Sequence, residues 1–168
     1  MIHFYYLTKS ETDLKKIKYY LDTTIFNFVF VEDAPEKKDI TLKLFKDLPL
    51  TSEGIYISDE VVREISRASE PRKSQLERLI KETGPLLLEI DTEAEELAER
   101  YIQEGIIPER YRGDALHIAV AVINGIDAII SWNFEHIVKL KTRVAVNGIN
   151  RFLGYHEIEI CSPEEVAE

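Results

Sequence analysis

Acidic side chains that interrupt apolar sequence are the first candidates for chemistry in this chain. Asp22 lies within an apolar run of strand length, between Leu21 and Thr23. Burying its carboxylate without a partner would cost several kcal/mol or force it to take up a proton. Asp22 therefore needs a cation, hydrogen-bond donors or a place at an exposed strand end. The alternative is that Asp22 only caps the turn that follows.

Glu64 and Asp114 complete a candidate set of three carboxylates. Glu64 follows a segment in which Ser58 can cap a helix and Asp59 and Glu60 complement the helix's positive end. Glu64 itself lies at the border of the buried face and could reach a cleft; pairing with a surface arginine is the alternative. Asp114 opens a helix that is apolar nearly all round, where the helix dipole would keep a carboxylate charged at neutral pH. It could equally be an N-cap.

Polar side chains near these acids are candidates for supporting roles. Ser131 and Asn133 follow an apolar strand, and the Asn133 amide could orient a water or a ligand without bringing charge. Thr24 and Ser131 could contact substrate or support metal ligands through hydrogen bonds. His117 lies one turn into the apolar helix and could approach the site, but a buried, hydrogen-bonded structural histidine is the preferred interpretation. Asp127 precedes its strand and is interpreted as structural.

Strands that alternate with helices would bring these residues together. The alternation predicts a three-layer α/β/α, Rossmann-like fold with a central parallel sheet. The nearly continuous apolar character of the strands agrees, because parallel strands are buried on both faces. Ligand sites in such sheets form beyond the carboxyl ends of the strands, where the candidate acids would meet in one cleft. The predicted strands cover residues 19–25, 55–57, 86–90, 128–130 and 158–160.

Helix boundaries are predicted from capping residues. Thr92 caps an acidic first turn, and Gly105 stops the helix that follows. Gly148 and Gly154 bracket a short helix before the last strand. Apolar residues at helical spacing predict further helices over residues 40–48, from residue 61, from residue 76 and over residues 115–123.

Composition and charge restrict the class of protein. The 168 residues suit one domain, which we place at residues 17–168 after an N-terminal arm or extra strand at residues 1–16. With one cysteine, neither an intrachain disulfide nor a cysteine zinc site can form. The single cysteine fits a reducing cytoplasm, and neither a membrane span nor a signal peptide is predicted.

The net charge of −10 argues against a broad, sequence-independent grip on nucleic acid. Local segregation of basic residues could offset this charge, as could a cation held by the acids. The basic residues nearest the candidate motifs are Arg110, Arg112, Lys139, Lys141, Arg143 and Arg151.

In their order along the chain these motifs resemble the PIN domain family. They are an Asp ending the first strand, Ser-x-x-Val-x-x-Glu from Ser58 to Glu64, Asp-Ala-x-x-Ala from Asp114, and a strand followed by a polar turn. The resemblance runs from Lys18 to about Val166 and implies a PIN-like fold.

The resemblance also implies a site and a reaction. Asp22, Glu64 and Asp114 would be metal ligands, and the family's fourth acidic position falls on Asn133, which leaves the catalytic set one carboxylate short and a second metal in question. Crowded carboxylates repel each other, and their hard oxygens suit Mg²⁺ or Mn²⁺. The metal would activate a water for attack on a phosphodiester, and in the family the result is hydrolysis of RNA.

Residues 114–119 followed by residues 130–134 are similar to a subgroup of VapC-like toxins. This implies an endoribonuclease toxin of a toxin–antitoxin pair, a homodimer and a small antitoxin that covers the cleft.

Two alternatives stay open. A haloacid-dehalogenase-like phosphatase would have a second Asp where this chain has Thr24, so the general acid for phosphoryl transfer is missing and this alternative ranks low. The stronger alternative is a PIN-like module that has lost its chemistry with Asn133 and binds RNA or a protein instead. Binding of Mn²⁺ separates this module from an active nuclease.

Overall fold

A five-stranded parallel sheet forms the centre of the computed structural model, which describes residues 15–167. The strands are β1 (Lys18–Leu21), β2 (Gly54–Ser58), β3 (Leu86–Leu88), β4 (Ala128–Ile130) and β5 (Glu159–Cys161). Their order is β3-β2-β1-β4-β5, and all neighbouring pairs are parallel. Strands β2 and β3 thus lie on one side of β1, and β4 and β5 lie on its other side. The point where the order reverses, between β1 and β4, is where such sheets form ligand sites.

Helices cover the sheet on both sides, which confirms the predicted three-layer α/β/α fold. Their lengths follow the apolar periodicity, although most extend beyond the predicted residues. The helices are α1 (Thr23–Phe28), α2 (Pro35–Thr51), α3 (Asp59–Ser66), α4 (Arg72–Thr83), α5 (Thr92–Gln103), α6 (Arg112–Ile123), α7 (Leu140–Leu153) and α8 (Pro163–Val166), with a 3-10 turn at Glu109–Tyr111.

Helix α6 lies at the centre of the core. Every residue from Ala115 to Val122 is buried, as the apolar sequence of this segment predicts. Helix α5 packs along it, and the Tyr101 hydroxyl of α5 donates a hydrogen bond of 2.5 Å to Asn150 of α7. Because α6 is held on all sides, the acidic residue in its first turn has a fixed position.

Several predicted boundaries are wrong, and each error has a local cause. The strand predicted over residues 19–25 ends at Leu21, because Asp22 caps helix α1. Asp91 rather than Thr92 caps α5, with its carboxylate accepting a hydrogen bond from the Ala94 N–H at 2.9 Å. Gly148 lies inside α7 instead of starting a short helix.

Other predicted boundaries are confirmed. Ser58 caps α3 by accepting a hydrogen bond from the Glu60 N–H. Gly105 and Gly154 follow α5 and α7 in left-handed conformations, with φ of +69° and +84°, which glycine adopts without strain.

The predicted arm at residues 1–16 lies outside the described residues except for its last two, so it stays a prediction. Among residues 15–167, no helix combines the length and the apolar character that crossing a membrane requires.

Candidate active site

Asp22 lies at the carboxyl end of β1, beside the point where the strand order reverses. Only 2% of the residue is exposed, and its carboxylate is bound by neutral donors. Oδ1 accepts hydrogen bonds from the Thr24 N–H at 3.1 Å and the Thr24 hydroxyl at 2.5 Å, and Oδ2 accepts one from the Ser131 hydroxyl at 2.6 Å. Burial raises the pKa of Asp22 to about 6, although His117 and these hydrogen bonds oppose the rise. Asp22 therefore both caps α1 and presents a costly buried charge.

Glu64 projects from α3 towards the same region. Its Oε2 accepts a hydrogen bond from the Thr23 hydroxyl and lies 3.3 Å from His117 Nε2. Burial alone would raise the pKa of Glu64. The hydrogen bond and charge of His117 and the hydrogen bond from Thr23 outweigh burial, so the pKa is lowered. Glu64 is therefore held as a carboxylate.

His117 is buried and connects Glu64 to the sheet. Its Nδ1 lies 2.7 Å from the Tyr20 hydroxyl, which also lies 2.7 Å from the Ser58 hydroxyl. Burial would lower the pKa of His117, but the hydrogen bond and charge of Glu64, with other carboxylates, raise it. The preferred interpretation of His117 as a buried, hydrogen-bonded residue agrees with this arrangement, and its contact with Glu64 also places it in the candidate site.

Asp114 is the third residue of α6 rather than its N-cap, which is Tyr111. Burial raises its pKa, opposed by His117 and by a hydrogen bond from the Asn133 side chain, while the charge of Glu64 adds to the rise. The Asn133 Oδ1 accepts a hydrogen bond from the His136 N–H at 3.0 Å. Asp114 is thus half-buried at a helix N-terminus, and it lies close enough to Glu64 for the negative charge of Glu64 to raise its pKa.

Ser131 connects Asp22 to Asn133 by hydrogen bonds. Its hydroxyl donates to Asp22 and accepts from the Asn133 N–H at 2.9 Å, and Asn133 in turn bonds Asp114. Thr24 has a similar double role, since its hydroxyl also accepts from the Trp132 N–H at 2.9 Å. Both hydroxyls thus donate hydrogen bonds to the Asp22 carboxylate.

Glu60 and Gly113 are two residues of this region that the sequence interpretation missed. The sequence suggests only a favourable interaction of Glu60 with the helix dipole, but Glu60 is 4% exposed and pairs with Arg63 at 2.6 Å. A Cβ atom on Gly113 would lie 3.0 Å from Glu60 Oε1 and 3.0 Å from Glu64 Oε1. The absence of a side chain at Gly113 therefore lets α6 approach both carboxylates. The signal in the sequence was the spacing of four between Glu60 and Glu64, which puts them on one face of α3.

Three of the six basic residues near the motifs are paired with acids on the surface. Arg112 contacts Glu99 at 2.6 Å, and the other pairs join Arg143 to Glu165 at 2.9 Å and Arg151 to Glu157 at 2.9 Å. These arginines are already neutralised locally, so they weaken the expectation of a basic surface beside the site.

A divalent cation fits the chemistry of the donor set. Asp22, Glu64 and Asp114 offer hard oxygen ligands, and burial raises the pKa values of Asp22 and Asp114, so a cation would favour their charged forms. Among residues 15–167, however, no group of three or more His, Cys, Asp or Glu side chains is arranged at metal-binding distance.

Comparison with known proteins agrees with the fold. The family model for the PIN domain matches residues 19–136, which contain all of the candidate acids. The chain belongs to the PIN domain family. No curated protein sequence matches the chain.

Two solved structures share the fold. VapBC2 from Rickettsia felis, described as bound to a DNA fragment from its promoter, matches with a TM-score of 0.54 and 16% identity over 87% of this chain and 98% of that one. VapC20 from Mycobacterium tuberculosis, described as a sarcin-ricin loop cleaving toxin, matches with a TM-score of 0.53 and 13% identity over 70% of this chain and 92% of that one.

Proposed function

We propose that this chain is an endoribonuclease that requires Mg²⁺ or Mn²⁺ and uses Asp22, Glu64 and Asp114 to hold the cation. The observation that carries the proposal is the environment of Asp22. Its carboxylate is buried, bound only by neutral donors and has a pKa raised to about 6. Burial makes this charge costly despite the nearby His117, so a metal ion would stabilise it. Membership of the PIN domain family supports the same reaction class.

Each side chain has a distinct task in this proposal. Thr24 and Ser131 hold the two oxygens of Asp22 in fixed directions. His117 holds Glu64 in its charged form, and the N-terminus of α6 favours the charged form of Asp114. A bound divalent cation would supply the positive charge that activates water and stabilises the phosphodiester during attack.

The test compares cleavage and metal binding in matched variants. The parent should cleave a fluorescent single-stranded or hairpin RNA in Mn²⁺ and lose activity in EDTA. Asp114→Asn should abolish cleavage and weaken Mn²⁺ binding in calorimetry while the protein stays folded, because the change keeps the size of the side chain and removes its charge. If Asp114→Asn cleaves RNA as fast as the parent, the proposed site is wrong.

We also propose that the protein acts as a toxin restrained by a small antitoxin, and that it forms a homodimer. The shared fold with VapBC2 and VapC20 supports this proposal. Induced expression of the parent should arrest bacterial growth, and Asp114→Asn should not. A monomer in light scattering at high concentration would contradict the homodimer.

An impaired RNA- or protein-binding module is the second candidate. Asn133 favours this module, because its amide forms a hydrogen bond with the Asp114 carboxylate and brings no charge of its own. This candidate predicts no measurable Mn²⁺ binding and no cleavage by the parent protein, so the same calorimetry decides between the two.

A further inference from the structure

Three aromatic rings surround one lysine beside the candidate active site. The Lys37 ammonium lies 5.4 Å from the ring centre of Phe28, 5.2 Å from that of Trp132 and 5.4 Å from that of Phe134. The rings also contact each other, with centroid separations of 5.4 Å for Phe28 and Trp132 and 6.1 Å for Trp132 and Phe134. We call Phe28, Lys37, Trp132 and Phe134 the aromatic cluster.

Hydrogen bonds hold the aromatic cluster in place. The indole N–H of Trp132 donates to the Thr41 hydroxyl at 2.8 Å, and that hydroxyl donates to the Lys37 carbonyl at 2.7 Å. Trp132 is 4% exposed and acts as the buried base of the cluster, whereas Phe134 is 43% exposed. A large aromatic ring on a rigid support, with its surface open to solvent, is the usual form of a stacking platform for a nucleobase.

The cluster is contiguous with the candidate active site. Trp132 and Phe134 flank Asn133, which bonds Asp114. The Trp132 N–H donates to the Thr24 hydroxyl, which binds Asp22. The backbone that carries Phe134 is thus tied to two of the candidate acids.

Charge alone is a poor means of holding RNA on this protein. The net charge is −10, and Arg112, Arg143 and Arg151 are paired with acids. Stacking on an aromatic ring holds a base without neutralising many phosphates, so it suits an acidic protein. Lys37 adds one cation at the platform, within reach of a phosphate beside the stacked base.

We propose that the aromatic cluster is a subsite that stacks one base of single-stranded RNA on Phe134, with Lys37 facing the adjacent phosphate. The subsite rests on the proposed function in that the same RNA would be cleaved at the carboxylates. Phe134 selects for an unpaired base, since a base inside a duplex has no free face to offer.

The test measures binding without cleavage, in EDTA at low salt. The probes are a ten-nucleotide oligouridylate and an abasic oligomer with the same number of phosphates. Trp132 is the only tryptophan, so quenching of its fluorescence reports on the aromatic cluster directly. Oligouridylate should quench Trp132 and bind about tenfold more tightly than the abasic oligomer.

Variants separate stacking from charge and from folding. Phe134→Leu should weaken oligouridylate binding about tenfold and leave the abasic oligomer unaffected, whereas Phe134→Tyr should restore binding because it keeps the ring. Lys37→Gln should weaken both probes and lower the slope of binding against salt by about 0.7. Phe152→Leu, which changes a phenylalanine that is 76% exposed on α7, should bind like the parent.

Two outcomes would overturn the subsite: equal binding of the two probes by the parent, or parental binding of oligouridylate by Phe134→Leu. Cleavage is measured separately in Mn²⁺. Cleavage combined with parental binding by Phe134→Leu contradicts only the subsite. Stacking without cleavage supports the subsite and contradicts the nuclease.

Discussion

Asp22 and Asp127 are the same residue type at opposite ends of neighbouring strands, and their surroundings differ completely. Asp22 follows β1, is 2% exposed and accepts hydrogen bonds from neutral groups. Asp127 precedes β4, and its carboxylate binds the Lys15 ammonium at 2.7 Å and the Lys18 N–H at 2.9 Å. Among residues 15–167, Asp127 therefore has a lysine ammonium in direct contact, whereas the hydrogen bonds of Asp22 come from neutral groups.

The pKa values move in opposite directions for this reason. Burial raises the pKa of Asp22 to about 6. Burial also opposes ionisation of Asp127, but the hydrogen bond from Lys15, the Lys18 N–H and the charges of both lysines outweigh it and lower the pKa. A carboxylate neutralised inside the chain stabilises the fold, whereas one left uncompensated costs stability and is available to a ligand.

The largest expected effect of this difference is on catalysis. Asp22→Asn should reduce Mn²⁺-dependent RNA cleavage by at least about a hundredfold, because a metal ion contributes several kcal/mol to such reactions. Asp127→Asn is the matched control and should cleave RNA at the parental rate. Equal losses in the two variants would mean that position relative to the strand ends does not decide function.

Stability of the metal-free protein should depend on pH in opposite ways for the same two variants. The pKa of Asp22 rises from 3.8 to about 6 on folding, so its cost is absent below pH 3.8, grows as pH rises to about 6 and is complete above it. That cost is about 3 kcal/mol at roughly 1.36 kcal/mol per pKa unit. Asp22→Asn should therefore stabilise the protein by up to that amount at pH 8 and hardly at all near pH 4.

Asp127→Asn should show the reverse sign in urea unfolding. Its lowered pKa stabilises the fold above pH 3.8, and this contribution is lost as the pH falls through the folded-state value. We expect a loss of at most about 1 kcal/mol at pH 8, since the pair is partly exposed and screened by solvent. A destabilised Asp22→Asn at pH 8 would contradict the assigned cost.

Asn133→Asp would add a carboxylate at the carboxyl end of the strands, where Asp22 and Asp114 lie. The Asn133 amide now donates to Asp114, and an acid there would replace that bond with repulsion while still accepting from the His136 N–H. We expect Mn²⁺ to bind about tenfold more tightly in calorimetry, a change of roughly 1.4 kcal/mol. Unchanged or weaker binding would show that Asn133 does not face the cation.

The smallest effect is expected at two helical glycines. Gly113→Ala would place a Cβ 3.0 Å from both Glu60 Oε1 and Glu64 Oε1, so these side chains must shift and cleavage should fall several-fold. Gly148→Ala, whose Cβ would meet open space within α7, should stabilise the protein by about 0.5–1 kcal/mol without loss of cleavage. Parental cleavage by Gly113→Ala would show that the close approach of α6 has no role in activity.

Much of the fold could be predicted from the sequence because its signals are local. Alternating apolar runs and helical periodicity predicted the parallel sheet, and strand β4 matches its predicted residues. The strand predicted over residues 19–25 is too long, because a short apolar run does not distinguish a strand from the start of a helix. The Asp22 cap ends the strand and begins helix α1.

The sequence by itself determined which acids are candidates and the order in which they follow the strands. Only the tertiary structure decided their partners. Tyr20 meets His117 across 97 positions, and Ser131 meets Asp22 across 109. Periodicity and capping act within a few residues, whereas burial and hydrogen bonding join segments that only the folded sheet brings together. For that reason the uncompensated charge of Asp22 and the space at Gly113 appear only when the chain is folded.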